Sequence, residues 1–114
     1  MHLKIDVDRR EGVTVLSPHG DLDVATGPAL KDSITDTLVA GGVHLVIDLG
    51  SVDFIESTGL GALVGGRRRA EAVNGSLSLV CAEGRLLRVF EITGLDKVFA
   101  IFGSVDDAVA RRVA

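Results

Sequence analysis

The chain has a single cysteine, no excess of basic residues and no long apolar run. Because Cys81 has no partner for an internal disulfide, we expect a reducing, cytoplasmic compartment. The 12 basic and 16 acidic residues give a net charge of −4, which argues against a general nucleic-acid binder. The basic run at residues 67–69 spreads around a helix, so we expect a solvated face rather than a phosphate cradle.

The sequence also lacks the features of membrane proteins and of secreted proteins. No apolar run approaches the length that a membrane-spanning helix needs, and the N-terminal segment lacks a signal-peptide core. A chain of 114 residues is long enough to bury a core and short enough for one domain. We therefore expect one domain, residues 1–114, with no membrane partner and no nucleic-acid partner.

Apolar spacing predicts alternating strands and helices. Short apolar segments predict five strands, at residues 3–7, 13–16, 43–49, 76–82 and 98–102. Helical spacing and capping residues predict four helices, which begin near Thr26, at Ser57 or Thr58, at Gly84 and after Ser104. The order ββαβαβαβα implies an α/β fold, in which a mixed, mostly parallel sheet has an antiparallel edge strand.

The segments before the first two helices are predicted as loops. Residues 18–23 are expected to form a loop, after which Thr26 caps the first helix. The acidic stretch before Ser57 is interpreted as a second loop. Within the second helix, a Gly-Gly pair at residues 65–66 costs about 0.5–1 kcal/mol per glycine relative to Ala. That pair predicts either close approach of a neighbouring element or a kink.

The chain contains only incomplete versions of two enzyme motifs. Gly59-Leu60-Gly61 starts a dinucleotide fingerprint, but Val64 stands where the third glycine belongs, and the chain lacks the second half of a dinucleotide-binding fold. Ser57 is not in a nucleophile elbow, because Ile55 stands where a glycine is required. Four acidic residues could gather around Mg²⁺, but we interpret them as loop charges and local caps: Asp21, Asp23, Asp53 and Glu56. We expect no catalytic residue, metal or cofactor.

Two adjacent hydroxyl residues, Ser57 and Thr58, stand between the acidic stretch and the predicted start of the second helix. A helix N-terminus has unpaired N–H groups and a partial positive charge, which suit a phosphoryl group. Local chemistry leaves two interpretations of Ser57 open: a switch residue that is modified, or a plain N-cap worth about 1 kcal/mol. We expect Leu60 to face inward and part of Phe54 or Ile55 to be reachable from outside.

Three motifs resemble those of STAS-domain proteins, in the same order along the chain: Gly20-Asp-Leu-Asp23, Asp53-Phe-Ile-Glu-Ser-Thr-Gly-Leu-Gly61 and Ile92-Thr-Gly-Leu95. Over nearly its whole length the chain most closely resembles the stand-alone bacterial anti-sigma factor antagonists. The resemblance implies a single STAS domain that is not an enzyme. Such a protein binds an anti-sigma factor with serine kinase activity and frees sigma factor. Phosphorylation by that kinase dissociates the complex, and a serine phosphatase removes the phosphate and restores the binding form.

Carried onto this sequence, the resemblance assigns phosphorylation to Ser57 and leaves modification of Thr58 open. It also implies a partner-contacting surface made of Asp21, Asp23, Asp53, Phe54, Ile55, Glu56, Thr58, Gly59, Leu60 and Gly61. A monomer or weak dimer is expected. Two other functions remain open: a STAS scaffold subunit of a larger signalling or transport assembly, and a domain that binds a small ligand or nucleotide.

Overall fold

The computed structural model describes residues 3–113, which form a six-stranded mixed sheet and four helices. The strands β1 to β6 are Lys4–Arg10, Val13–Leu22, His44–Asp48, Val52–Ile55, Ser76–Val80 and Ile101–Phe102. The helices α1 to α4 are Gly27–Val39, Ser57–Ala72, Arg85–Thr93 and Val105–Val113. A 3-10 turn at Leu95–Lys97 precedes β6.

The sheet confirms the predicted α/β fold class. Its strand order is β1-β2-β3-β5-β6, with β4 paired to β2 outside this path. β1 is the antiparallel edge strand, and the other pairings are parallel. β1 turns into β2 at Glu11 and Gly12, whose φ angles of 52° and 81° are the positive values that tight hairpins need. Charged residues cover most of β1, and its Arg10 forms an ion pair with Asp106 of α4.

The predicted order lacks β4. The acidic stretch before Ser57, which was interpreted as a loop, contains this strand. β3 ends at Asp48, and after a turn the chain resumes pairing with β2, so that Gly20 lies opposite Val52 and Leu22 opposite Ile55. Only Val52 and Ile55 of the four β4 residues are buried. A strand so short, with its buried residues at the two ends, lacks the alternation on which the prediction depends.

Residues 18–23 were also predicted as a loop, but β2 continues through them to Leu22. Pro18 lies where β2 passes from β3 to β4, so its missing N–H breaks no ladder bond on that side of the strand. The last strand is shorter than the predicted 98–102. The N–H groups of Val98 and Phe99 both donate to Leu95 O, which curls the chain until Ile101.

Apolar side chains fill both faces of the sheet. In β3, Leu45 and Ile47 pack in the larger core with α1, α2 and α3, whereas Val46 packs in the smaller core under α4. All three are at most 1% exposed, which confirms the predicted burial of this strand on both faces. At Gly66 a Cβ would lie 3.0 Å from Ile34 Cδ1, so the glycine lets α2 approach α1 closely. The described residues contain no helix long and apolar enough to cross a membrane.

Cys81 provides a test of this packing, because it is buried at the end of β5 and burial raises the pKa of its thiol. The thiolate is the reactive form, so we expect iodoacetamide at pH 8 to alkylate the folded protein at least about tenfold more slowly than the urea-unfolded chain. The rate should keep rising above about pH 8.5, where an ordinary thiol is half ionised. Glutathione in the same buffers corrects for the effect of urea on the reagent, and equal rates would contradict the buried position.

Candidate functional site

Ser57 is the first residue of α2, and only Glu56 separates it from the end of β4. Glu56 holds the N-cap position with an extended backbone, and no side chain among the described residues caps this end of the helix. The first helical hydrogen bond runs from Leu60 N to Glu56 O at 2.9 Å. The N–H groups of the first turn therefore have no partner within the helix, and Ser57 carries an exposed hydroxyl beside them instead of capping it.

The loop between β2 and α1 is built around one carboxylate and one hydroxyl. Asp23 Oδ1 accepts hydrogen bonds from the backbone N–H groups of Ala25 and Thr26, at 2.9 and 3.0 Å. Thr26 Oγ1 donates to Asp21 O at 2.6 Å and accepts from Asp23 N at 2.9 Å. Thr26 does occupy the predicted N-cap position, but its buried side chain turns back to the loop and makes no capping bond to α1.

Glu56 ties this loop to the start of α2. Its Oε1 accepts a hydrogen bond from Val24 N at 3.0 Å, and its own N–H donates to Leu22 O at 3.0 Å. Because the loop and the first turn of α2 share this residue, Asp23 and Ser57 are held on the same end of the sheet. Glu56 and Asp23 are half-buried and engaged by backbone N–H groups.

Two glycines allow the elements around Ser57 to approach closely. A Cβ at Gly59 would lie 2.8 Å from Leu22 Cβ and 2.9 Å from Leu22 O, so α2 begins in direct contact with the end of β2. A Cβ at Gly27 would lie 2.7 Å from Thr58 Cγ2. The first turns of α1 and α2 are therefore neighbours, and no side chain larger than hydrogen fits at either glycine without a shift.

The predicted partner surface divides by accessibility. The exposed members are Asp21, Asp53, Phe54 and Gly61, with Phe54 48% exposed, and Asp23, Glu56, Thr58 and Leu60 are half-buried. Ile55 and Gly59 are buried, so neither presents a side chain at the surface. Ile55 turns inward because it ends β4 opposite Leu22. Its predicted position on a partner-contacting surface is therefore wrong. Of Phe54 and Ile55, the two residues expected to be partly reachable from outside, Phe54 is the reachable one.

Sequence reasoning missed Val24 and misjudged Arg69. Val24 is 69% exposed at the tip of the loop that Glu56 holds, and a lone apolar loop residue has no periodic signal. In the arginine run, Arg67 pairs with Glu71 at 3.1 Å and Arg68 is exposed. The expected solvated face is wrong for Arg69, whose Nε and Nη2 atoms are buried with no hydrogen-bond partner among residues 3–113.

The acidic residues near Ser57 do not converge. Within the described part of the chain, no group of three or more His, Cys, Asp or Glu side chains is placed to hold a metal ion. The carboxylate of Asp23 accepts hydrogen bonds from backbone N–H groups two and three residues away, as a local cap does. The carboxylate of Glu56 instead accepts one from Val24, 32 residues earlier in the chain, so Glu56 joins two segments and is not a local cap. What the site offers chemically is one accessible hydroxyl at a helix start, with carboxylates around it.

The family model of the STAS domain matches residues 4–108. The anti-sigma-B factor antagonist of Bacillus subtilis is 33% identical over 109 residues, which cover 96% of this chain and 99% of that protein. The anti-sigma-F factor antagonist RsfB of Mycobacterium tuberculosis is 34% identical, over 94% of this chain and 87% of that one. The crystal structure of an anti-sigma factor antagonist from Mycobacterium paratuberculosis superposes with a TM-score of 0.87 at 32% identity, covering 96% and 93% of the two chains.

The contact between α2 and β2 predicts opposite effects for two glycines in the same turn. Gly59→Ala should lower the free energy of unfolding by about 1–3 kcal/mol, because its methyl group would overlap Leu22. Gly61→Ala, where a Cβ meets nothing within 4 Å, should raise it by about 0.5–1 kcal/mol through helix propensity. Urea denaturation of the two variants measures both changes. Equal stabilisation by both alanines would contradict the close contact at Gly59.

Proposed function

This chain belongs to the STAS-domain family, and from that membership and the site we propose that it is an anti-sigma factor antagonist switched by phosphorylation. The unmodified protein binds an anti-sigma factor that is also a serine kinase, and sigma factor is thereby freed. The kinase phosphorylates Ser57, the complex dissociates, and a serine phosphatase restores the binding form. The protein acts as a binding partner in the cytoplasm and not as an enzyme.

The observation that carries this proposal is the exposed hydroxyl of Ser57 in the first turn of α2. A kinase must reach the hydroxyl that it modifies, and this one is free of a capping role. Thr58 fits less well, because it is half-buried and its Cγ2 lies against Gly27. Accessibility therefore favours Ser57 over Thr58 as the residue that is modified.

The surroundings of Ser57 suit a protein contact. Two exposed apolar side chains provide contact area: Phe54, two residues before Glu56, and Val24, whose N–H donates to Glu56. The exposed carboxylates of Asp21 and Asp53 add a polar margin. An apolar centre with a charged margin is the usual arrangement of a protein interface. We propose that the anti-sigma factor covers Phe54, Val24 and the first turn of α2 together.

A phosphate on Ser57 would disturb this contact more than the fold. It adds about −1.5 to −2 charges at neutral pH. The helix N-terminus offsets some of this, typically by 0.3–1 kcal/mol. Across an interface, one pair of like charges about 6 Å apart at an effective dielectric near 20 costs roughly 3 kcal/mol. That cost is on the order of a hundredfold in affinity and exceeds the local gain, so dissociation is expected without refolding.

Two substitutions at Ser57 test the switch. With the purified anti-sigma kinase, Ser57→Ala should bind with about the affinity of the unmodified protein and accept no phosphate. Ser57→Asp should bind more weakly, by on the order of tenfold to a hundredfold, because it places a permanent charge at the interface. Isothermal titration calorimetry measures both affinities, and mass spectrometry after incubation with kinase and ATP locates any phosphate.

Asn74→Asp is the matched control, because it adds the same charge beyond the other end of α2. Asn74 is exposed at a φ of 62°, a conformation that Asp also adopts. The 16 residues of α2 separate it from Ser57 by about 24 Å. The Asn74→Asp variant should bind the kinase within about twofold of the unmodified protein, since salt screens the added charge over that distance from the interface. Equal kinase affinities for Ser57→Ala and Ser57→Asp would contradict the proposal.

A further inference from the structure

A groove of about 380 Å³ lies between the first half of α2 and the start of α1. Small or apolar residues form its walls, and two cationic side chains and one hydroxyl line it: Gly27, Pro28, Gly61 and Ala62, with Lys31, Arg69 and Thr58. No acidic residue lines the groove. It opens beside the first turn of α2, and two of its lining residues, Thr58 and Gly61, also belong to the predicted partner surface.

Arg69 reaches the groove because α2 is cleared of side chains on this face. A Cβ at Gly65 would lie 3.2 Å from Arg69 Nη1, so the guanidinium lies along the helix toward Gly61, one turn further back. Its Nε and Nη2 atoms are buried and have no hydrogen-bond partner among residues 3–113. A buried donor without a partner is costly, and an acceptor bound in the groove would remove that cost once the Arg69 side chain rotates to present these donors to it.

Lys31 adds a second cation on the opposite wall. It is exposed on α1, and the ion pairs between described residues include neither Lys31 nor Arg69. The neighbouring Arg67, by contrast, is already paired with Glu71. Two unneutralised cations that face one cavity without a carboxylate between them attract a dianion.

We propose that this groove binds the phosphate group of a small phosphorylated metabolite. The guanidinium of Arg69 matches two phosphate oxygens with parallel N–H bonds, and the ammonium of Lys31 balances the second charge. Thr58 supplies a hydroxyl that can donate to a further oxygen. The cavity is larger than one phosphate, and the surfaces of Pro28 and Ala62 leave room for the organic part of the molecule. Binding here would place negative charge next to Ser57.

The test uses the unmodified protein alone, so its outcome is independent of the Ser57 switch. Inorganic phosphate is titrated into ¹⁵N-labelled protein at constant ionic strength, with NaCl replaced as phosphate is added. The proposal expects saturable shifts of the Gly27, Thr58 and Gly61 amides and of the Arg69 Nε–H signal. A sugar phosphate should bind at least as tightly as inorganic phosphate, whereas acetate should bind at least about tenfold more weakly because it carries one charge.

Two variants and one control locate the site. Arg69→Gln and Lys31→Gln should each weaken phosphate binding by about tenfold, because each removes a charge-assisted hydrogen bond. Arg68→Gln removes the same charge from an exposed neighbour outside the groove and should change affinity by less than twofold. Since Lys31 is exposed, its variant tests the site even if Arg69→Gln unfolds. The dispersion of the amide signals in the ¹⁵N spectrum shows whether each variant is folded.

Four results would overturn the proposal. Linear shifts without saturation, or equal losses in Arg68→Gln and Lys31→Gln, would mean that phosphate responds only to net charge. Acetate binding as tightly as phosphate would make the groove a general carboxylate site. Binding of inorganic phosphate without binding of the sugar phosphate would contradict a metabolite as the natural ligand.

Discussion

The contact between the end of β2 and the start of α2 positions everything at the proposed site. Leu22 is fully buried, lies opposite Ile55 in β4, and accepts the N–H of Glu56 through its carbonyl oxygen. The same residue leaves no space for a Cβ at Gly59. Because Leu22 meets the strand before the helix and the helix itself, the direction in which Ser57 leaves the sheet follows from packing around one leucine. Glu56 then joins the loop of Asp23 to that same corner.

Segments with a strong apolar signal were predictable from the sequence, and short segments with irregular burial were not. Both faces of β3 are buried, and a nearly unbroken apolar run is the expected signature of such a strand. β4 was missed because its two buried residues stand at its ends, with exposed Asp53 and Phe54 between them. Its strand character depends on a free edge at the end of β2, a tertiary circumstance that no local pattern records.

The candidate site shows the same division between chain-local and spatial information. The place of Ser57 at the start of α2 followed from helix signals and motif order. The sequence left open whether Phe54 or Ile55 reaches the surface, and the structure shows that it is Phe54. The role of Thr26 could not be predicted in this way, because the hydrogen bond from its hydroxyl to Asp21 O depends on how the loop folds back. Nor could the place of Arg69. An arginine run on a helix looks solvated, and only the glycines one and two turns before Arg69 let its guanidinium lie against the helix.

Both rims of the sheet are poor templates for another chain's backbone. At one rim, β1 presents charged side chains along most of its length, and at the other β6 has only two residues. Charged or very short outer strands resist the strand addition that leads to swapping and fibre formation. This favours complexes formed through loops and helix faces, which can separate without breaking a continuous backbone ladder. A small protein meant to exchange repeatedly between bound and released forms would gain from such reversibility.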